Sequence, residues 1–138
     1  MRSFLLFCVL LPGCTLFQRP PRPVHAPPQE AARFAFPETL PTEGRQLLSG
    51  TLFAAIQLAM EDFRPWDTNP HKGATPGEIC LYKRDSYDVS VVSGAEELVY
   101  VDISPRPGAC EMGGPPVMGF DAVYAIDVKN WRIIAVQR

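Results

Sequence analysis

Four cysteines, two histidines and fifteen carboxylates are the residues of this chain that could carry chemistry. Their spacing excludes more than it allows. Zinc sites draw on close pairs such as C-x2-C, and here Cys80, Cys110 and His71 stand far apart, so no metal is expected. No serine-elbow, H-E-x-x-H, phosphate-loop or dinucleotide motif occurs. Gly113-Gly114-Pro115-Pro116 precedes no helical pattern, so it does not cradle phosphate. Glu61 and Asp62 are neighbours on a helical stretch and point apart, whereas acid–base carboxylates must converge. Asp102, Asp121 and Asp127 fall on or beside strand patterns and read as an exposed sheet face. The expectation is a protein that is not an enzyme and holds no cofactor.

Cysteine does have a role at the start. Arg2 precedes an apolar run from Ser3 to Leu11, followed by Leu11-Pro12-Gly13-Cys14. The run is short of the roughly 20 residues that span a bilayer and has the length of a signal-peptide core. Leu-x-Gly-Cys resembles the lipobox of bacterial lipoproteins, with Pro12 where Ala, Ser or Thr is more usual. The resemblance implies cleavage after Gly13, removal of residues 1–13 with Cys8, and a diacylglycerol on the Cys14 sulfur. A single acyl chain holds a protein only marginally, and two or three hold it firmly. Thr15, rather than aspartate, comes after the cysteine, which implies the outer membrane, facing the periplasm, in a Gram-negative cell envelope.

Residues 14–41 are rich in proline, with Pro20, Pro21, Pro23, Pro27, Pro28, Pro37 and Pro41. Proline lacks the amide donor and restricts its predecessor, so this stretch reads as an extended spacer. Arg19, Arg22 and His25 could meet lipid head groups, and Phe34, Phe36 and Leu40 could dock on the C-terminal domain. Residues 42–138 have the length of one small domain. A net charge of −2, without clustered Lys and Arg, argues against nucleic acid.

In that domain Leu48, Leu52, Phe53, Ile56, Ala59, Met60 and Phe63 recur at helical spacing. The helix is expected from an N-cap at Thr42 to a stop before Pro65, with its firm part from Ser49. Residues 66–77 read as a loop. Four alternating segments come next: 86–92, 98–103, 120–127 and 131–136. The expected fold class is α+β, one long helix packed on an antiparallel sheet of about four strands.

With the first hairpin turning around residue 95, Val91 faces Val99, Val89 faces Val101 and Tyr87 faces Ile103. Extending that register brings Cys80 opposite Cys110. In an exported chain such a pair is expected as a disulfide. Two features could bind a partner: the loop carrying Met112, Pro115, Pro116, Val117 and Met118, and the tryptophans Trp66 and Trp131.

The run Tyr124-Ala125-Ile126-Asp127-Val128-Lys129-Asn130-Trp131-Arg132-Ile133 resembles the closing strand pair of PepSY-type domains, Y-x-I-D-x-x-x-G-x-I, with Trp131 in place of glycine. The helix-then-sheet order is similar to cystatin-type domains as well. These resemblances imply a binding or inhibitory module. The functional expectation is a non-enzymatic envelope lipoprotein, tethered through acyl chains on Cys14, that binds or stabilises another envelope protein. An inhibitor or immunity-type module against a peptidase or toxin is the alternative, and a small envelope hydrolase comes third.

Overall fold

The computed structural model describes residues 22–111 and 119–138. Proline shapes residues 22–49 in two ways. It keeps most of the segment out of regular structure, and at Pro28 it starts a single helical turn, α1 (Pro28–Ala31), with Pro27 as N-cap. Proline is tolerated at that first position because its missing amide would have no partner there. Phe34 and Phe36 meet edge to face, with ring centroids 5.0 Å apart. Neither they nor Leu40 dock on the core, and all three are exposed. The expected docking is therefore corrected: the two rings satisfy each other, and every residue from 22 to 49 stays exposed.

The main helix, α2, spans Gly50–Phe63. Its N-cap is Ser49, whose hydroxyl accepts from the Leu52 amide at 3.3 Å, not Thr42. Gly44 takes a left-handed φ of 72°, which breaks helical continuation between the two candidates. Ala55, Ala59 and Phe63 succeed one another at four-residue steps and are buried. Leu52, Ile56, Leu58 and Met60 flank them, partly buried. The two alanines let the helix lie close to the sheet at its centre.

Residues 66–77 are not all loop. A short helix, α3 (Pro76–Leu81), opens with a full capping box, in which Thr75 and Glu78 satisfy each other's backbone amides. The Thr-x-x-Glu signal is present in the sequence, where the surrounding prolines and glycines outweigh it. A 3-10 turn at Arg84–Ser86 leads into β1 (Tyr87–Ser93). Then come β2 (Leu98–Pro105), β3 (Ala122–Asp127) and β4 (Arg132–Gln137), paired antiparallel in the order β1-β2-β3-β4. Helix α2 lies over β1, β2 and β3. The fold is thus α+β, one 14-residue helix on a four-stranded antiparallel sheet.

The first hairpin is displaced by two residues from the expected register. Val91 pairs with Val101, Val89 with Ile103 and Tyr87 with Pro105. Glu96 and Glu97 both adopt left-handed φ, 54° and 60°, and the Leu98 amide donates to the Ala95 carbonyl. That is the φ pattern of a type I′ turn, and it moves the apex from residue 95 towards 96 and 97. A shift of two preserves the faces, because side chains alternate with period two. Tyr87, Val99, Val101, Ile103, Ala122, Tyr124 and Ile126 therefore still share the buried side beneath α2. In β4 a bulge passes over Ile134, since Ala125 pairs with Ala135 while Ile126 pairs with Ile133.

Candidate functional site

Cys80 and Cys110 are joined in a disulfide, with Cα atoms 5.7 Å apart. The route differs from an extended hairpin ladder: Cys80 sits on α3, and the ladder ends at the Tyr87–Pro105 pair. Ser86 Oγ donates to the Cys80 carbonyl at 2.7 Å, and the Arg106 amide donates to the Ser86 carbonyl at 2.9 Å. The chain thus folds back beside β1 before the covalent link closes it. With both sulfurs bonded, neither cysteine serves as a thiolate. His71 lies exposed in the preceding loop. Cys14 and the loop residues Met112, Pro115, Pro116, Val117 and Met118 lie outside the described residues.

The carboxylates have separate local tasks. Asp62 accepts from the Tyr124 hydroxyl at 3.0 Å and faces Arg138 at 3.7 Å. This fastens the last turn of α2 to the middle of the sheet, so Asp62 is more than part of a solvated helix face. Burial raises the Tyr124 hydroxyl above the ordinary tyrosine range and keeps it a donor. Asp127 accepts from the amides of Lys129 and Asn130, from Asn130 Nδ2 at 2.8 Å and from Arg132 Nε at 3.1 Å. Those hydrogen bonds, led by the Asn130 side chain, lower its carboxyl to about 2. In the capping box the Thr75 hydrogen bonds likewise lower Glu78.

Arg64, which no motif pointed out, is the most engaged cation. Its guanidinium lies 4.4 Å from the Phe63 ring centre, 5.3 Å from Phe120, 5.5 Å from Tyr82 and 5.6 Å from Tyr87. It donates to the Phe63 carbonyl, the Leu81 carbonyl and the Tyr87 hydroxyl, at 3.0, 3.3 and 3.1 Å. Tyr87 in turn donates to the Leu81 carbonyl at 2.6 Å, and burial raises its hydroxyl above the usual range. One residue so joins α2, α3, β1 and the approach to β3. Three of its five N–H donors are engaged within the fold, which makes it a structural bolt. Phe-Arg before the helix-ending proline is the only trace of it in sequence.

Both tryptophans are on the surface, Trp66 at 44% and Trp131 at 47% exposure. Trp66 borders a shallow cleft with Glu61, Pro65 and Arg84. Trp131 has a φ of 51°, which explains why glycine would suit that position. It shares one end of the sheet with Glu96 and Glu97, and these three are the non-glycine residues with positive φ among the described residues. The two hairpins touch there: the Val128 amide donates to the Glu97 carbonyl at 3.0 Å, and Lys129 faces Glu97 at 3.6 Å.

The side of the sheet turned away from α2 carries a different pattern. Val92, Tyr100, Ala125 and Ala135 stand in one row across all four strands. Val123 lies in the next row, beside Ser90, Asp102 and Gln137. Exposure is 60% for Val92, 40% for Tyr100 and 38% for Val123. Gly94 provides the seat for Tyr100: a Cβ there would meet Tyr100 Cε2 at 2.6 Å, so the ring lies across the glycine. No helix among the described residues is long and apolar enough to cross a membrane.

No family model, no curated protein and no solved structure matches the chain.

Proposed function

We propose that the protein is a lipid-anchored, non-catalytic module of the bacterial cell envelope, which binds or stabilises another envelope protein. The observation that carries this reading is Leu11-Pro12-Gly13-Cys14, placed directly after a short apolar run and directly before a proline-rich stretch. Acylated at Cys14, the chain would hold its α+β fold away from the bilayer on an extended spacer. The Cys80–Cys110 disulfide supports an oxidising compartment, since such bonds persist outside the reducing cytosol. A non-catalytic role is supported by the placement of the carboxylates. Asp62 is tied to Tyr124 and Arg138, Asp127 closes a turn, and Glu78 caps a helix.

The test is the intact mass of the protein extracted from membranes, alkylated with and without prior reduction. The expected species begins at Cys14, carries acyl chains and gains two alkylated thiols only after reduction. A chain without lipid overturns the anchor. Alkylation without reduction overturns the oxidising compartment.

A further inference from the structure

We propose that the outer face of the sheet docks a basic amphipathic helix of a partner protein. The inference rests on the reading of this chain as a binding module and supplies the chemistry of its partner. The row Val92, Tyr100, Ala125 and Ala135 spans four strands, about 14 Å at ordinary strand spacing. A helix is about 10 Å across, so one helix laid on this row completes a helix–sheet–helix sandwich. Tyr100 leans towards Gly94, whose missing side chain leaves room for the edge of the ring.

Charge selects the occupant. Below the apolar row lie Asp88 on β1, Asp102 on β2 and Asp121 just before β3, in phase with Val123. All three are exposed, and none is ion-paired among the described residues. A partner with an apolar stripe and Lys or Arg along one border meets both parts of this face at once. The sheet of a second copy offers no free cation, because Arg132, the one basic residue within the four strands, is engaged by Asp127 at 3.1 Å. An anionic bilayer would be repelled by the same three carboxylates.

The probe is a synthetic 18-residue peptide with leucines on one helical face and lysines along one border, fluorescently labelled. Its anisotropy is followed on titration with the full chain, with far-UV circular dichroism confirming the fold of each variant. The expected result is saturable binding that weakens about tenfold in the triple variant Asp88→Asn, Asp102→Asn, Asp121→Asn. Val92→Asp should weaken it comparably, and Gln57→Asp on the exposed side of α2 should leave it within twofold. If Val92→Asp does not fold, the triple surface variant carries the test alone.

A scrambled peptide of the same composition that binds equally tightly overturns the proposal, as does a triple variant within twofold of the original. So does competition by vesicles of phosphatidylcholine with phosphatidylglycerol, or a dimer in sedimentation that Val92→Asp dissolves. The mass measurement reads the anchor and this titration reads the face, so each can fail alone.

Discussion

Replacing Arg64 tests whether a cation, and not merely a long side chain, joins the two layers of this fold. Arg64→Ala removes three hydrogen bonds, to Phe63 O, Leu81 O and Tyr87 Oη, and empties the space among four aromatic rings. A hydrogen bond contributes about 1 kcal/mol net, and a partly exposed cation–π contact about 1 kcal/mol. The contributions overlap, because one guanidinium makes them all and Leu81 O keeps its bond from Tyr87. The expected loss is about 3 kcal/mol, or a fall in Tm of about 15 °C for a domain of this size. Arg64→Met keeps the apolar stem and should lose about 2 kcal/mol, while Arg64→Lys keeps the charge without the planar fork and should fall between wild type and Met. The assay is urea unfolding monitored by circular dichroism, with thermal melts alongside. If Arg64→Met is as stable as wild type, the charge contributes nothing and the aromatic box is packing alone. If Arg64→Ala lies within about 0.5 kcal/mol of wild type, the bolt itself is refuted.

The geometry sets three other outcomes. The double variant Cys80→Ser, Cys110→Ser removes a crosslink over a sequence separation of 30, which on the chain-entropy model contributes about 3.6 kcal/mol; urea midpoints of the variant and of reduced wild type should fall together. Asp127 has its folded pKa depressed to about 2 from an unfolded value of about 3.9, so its stabilisation is complete above about pH 5 and lost as pH falls through 4 towards 2. Unfolding midpoints measured from pH 7 to pH 2.5 should show a shallower acid slope in Asp127→Asn. Trp131→Gly relieves a left-handed φ of 51° and should raise stability by up to about 1 kcal/mol, visible as a higher melting temperature.

Much of the architecture is legible in the residue order because it depends on periodicity. Of the apolar residues at helical spacing, Ala59 and Phe63 are buried in α2 and Leu52, Ile56 and Met60 pack partly against the core, while Leu48 and Phe53 are exposed; alternation from Tyr87 to Ile126 becomes one side of the sheet. The faces survive even where the register is displaced by two, since parity alone sets which side a strand residue takes. Helix boundaries depend on competing local signals. Thr42 and Ser49 are both good caps by type, and Gly44 with its left-handed φ decides between them. The capping box at Thr75 and Glu78 is written in the sequence but stands among turn-forming residues.

The sequence by itself determined the lipobox-like Leu11-Pro12-Gly13-Cys14, the proline-rich stretch after it, the class of fold and which two cysteines would meet. These rest on covalent order, local backbone restriction and short-period patterns, which need no knowledge of distant neighbours. Only the tertiary structure decided how Cys80 reaches Cys110 from a helix, why Arg64 sits among Phe63, Tyr82, Tyr87 and Phe120, and that Asp62 holds Tyr124. It also decided that Asp88, Asp102 and Asp121 border one apolar row. Each depends on contacts between residues far apart in the chain, and those distances are set by how α2 and the strands pack.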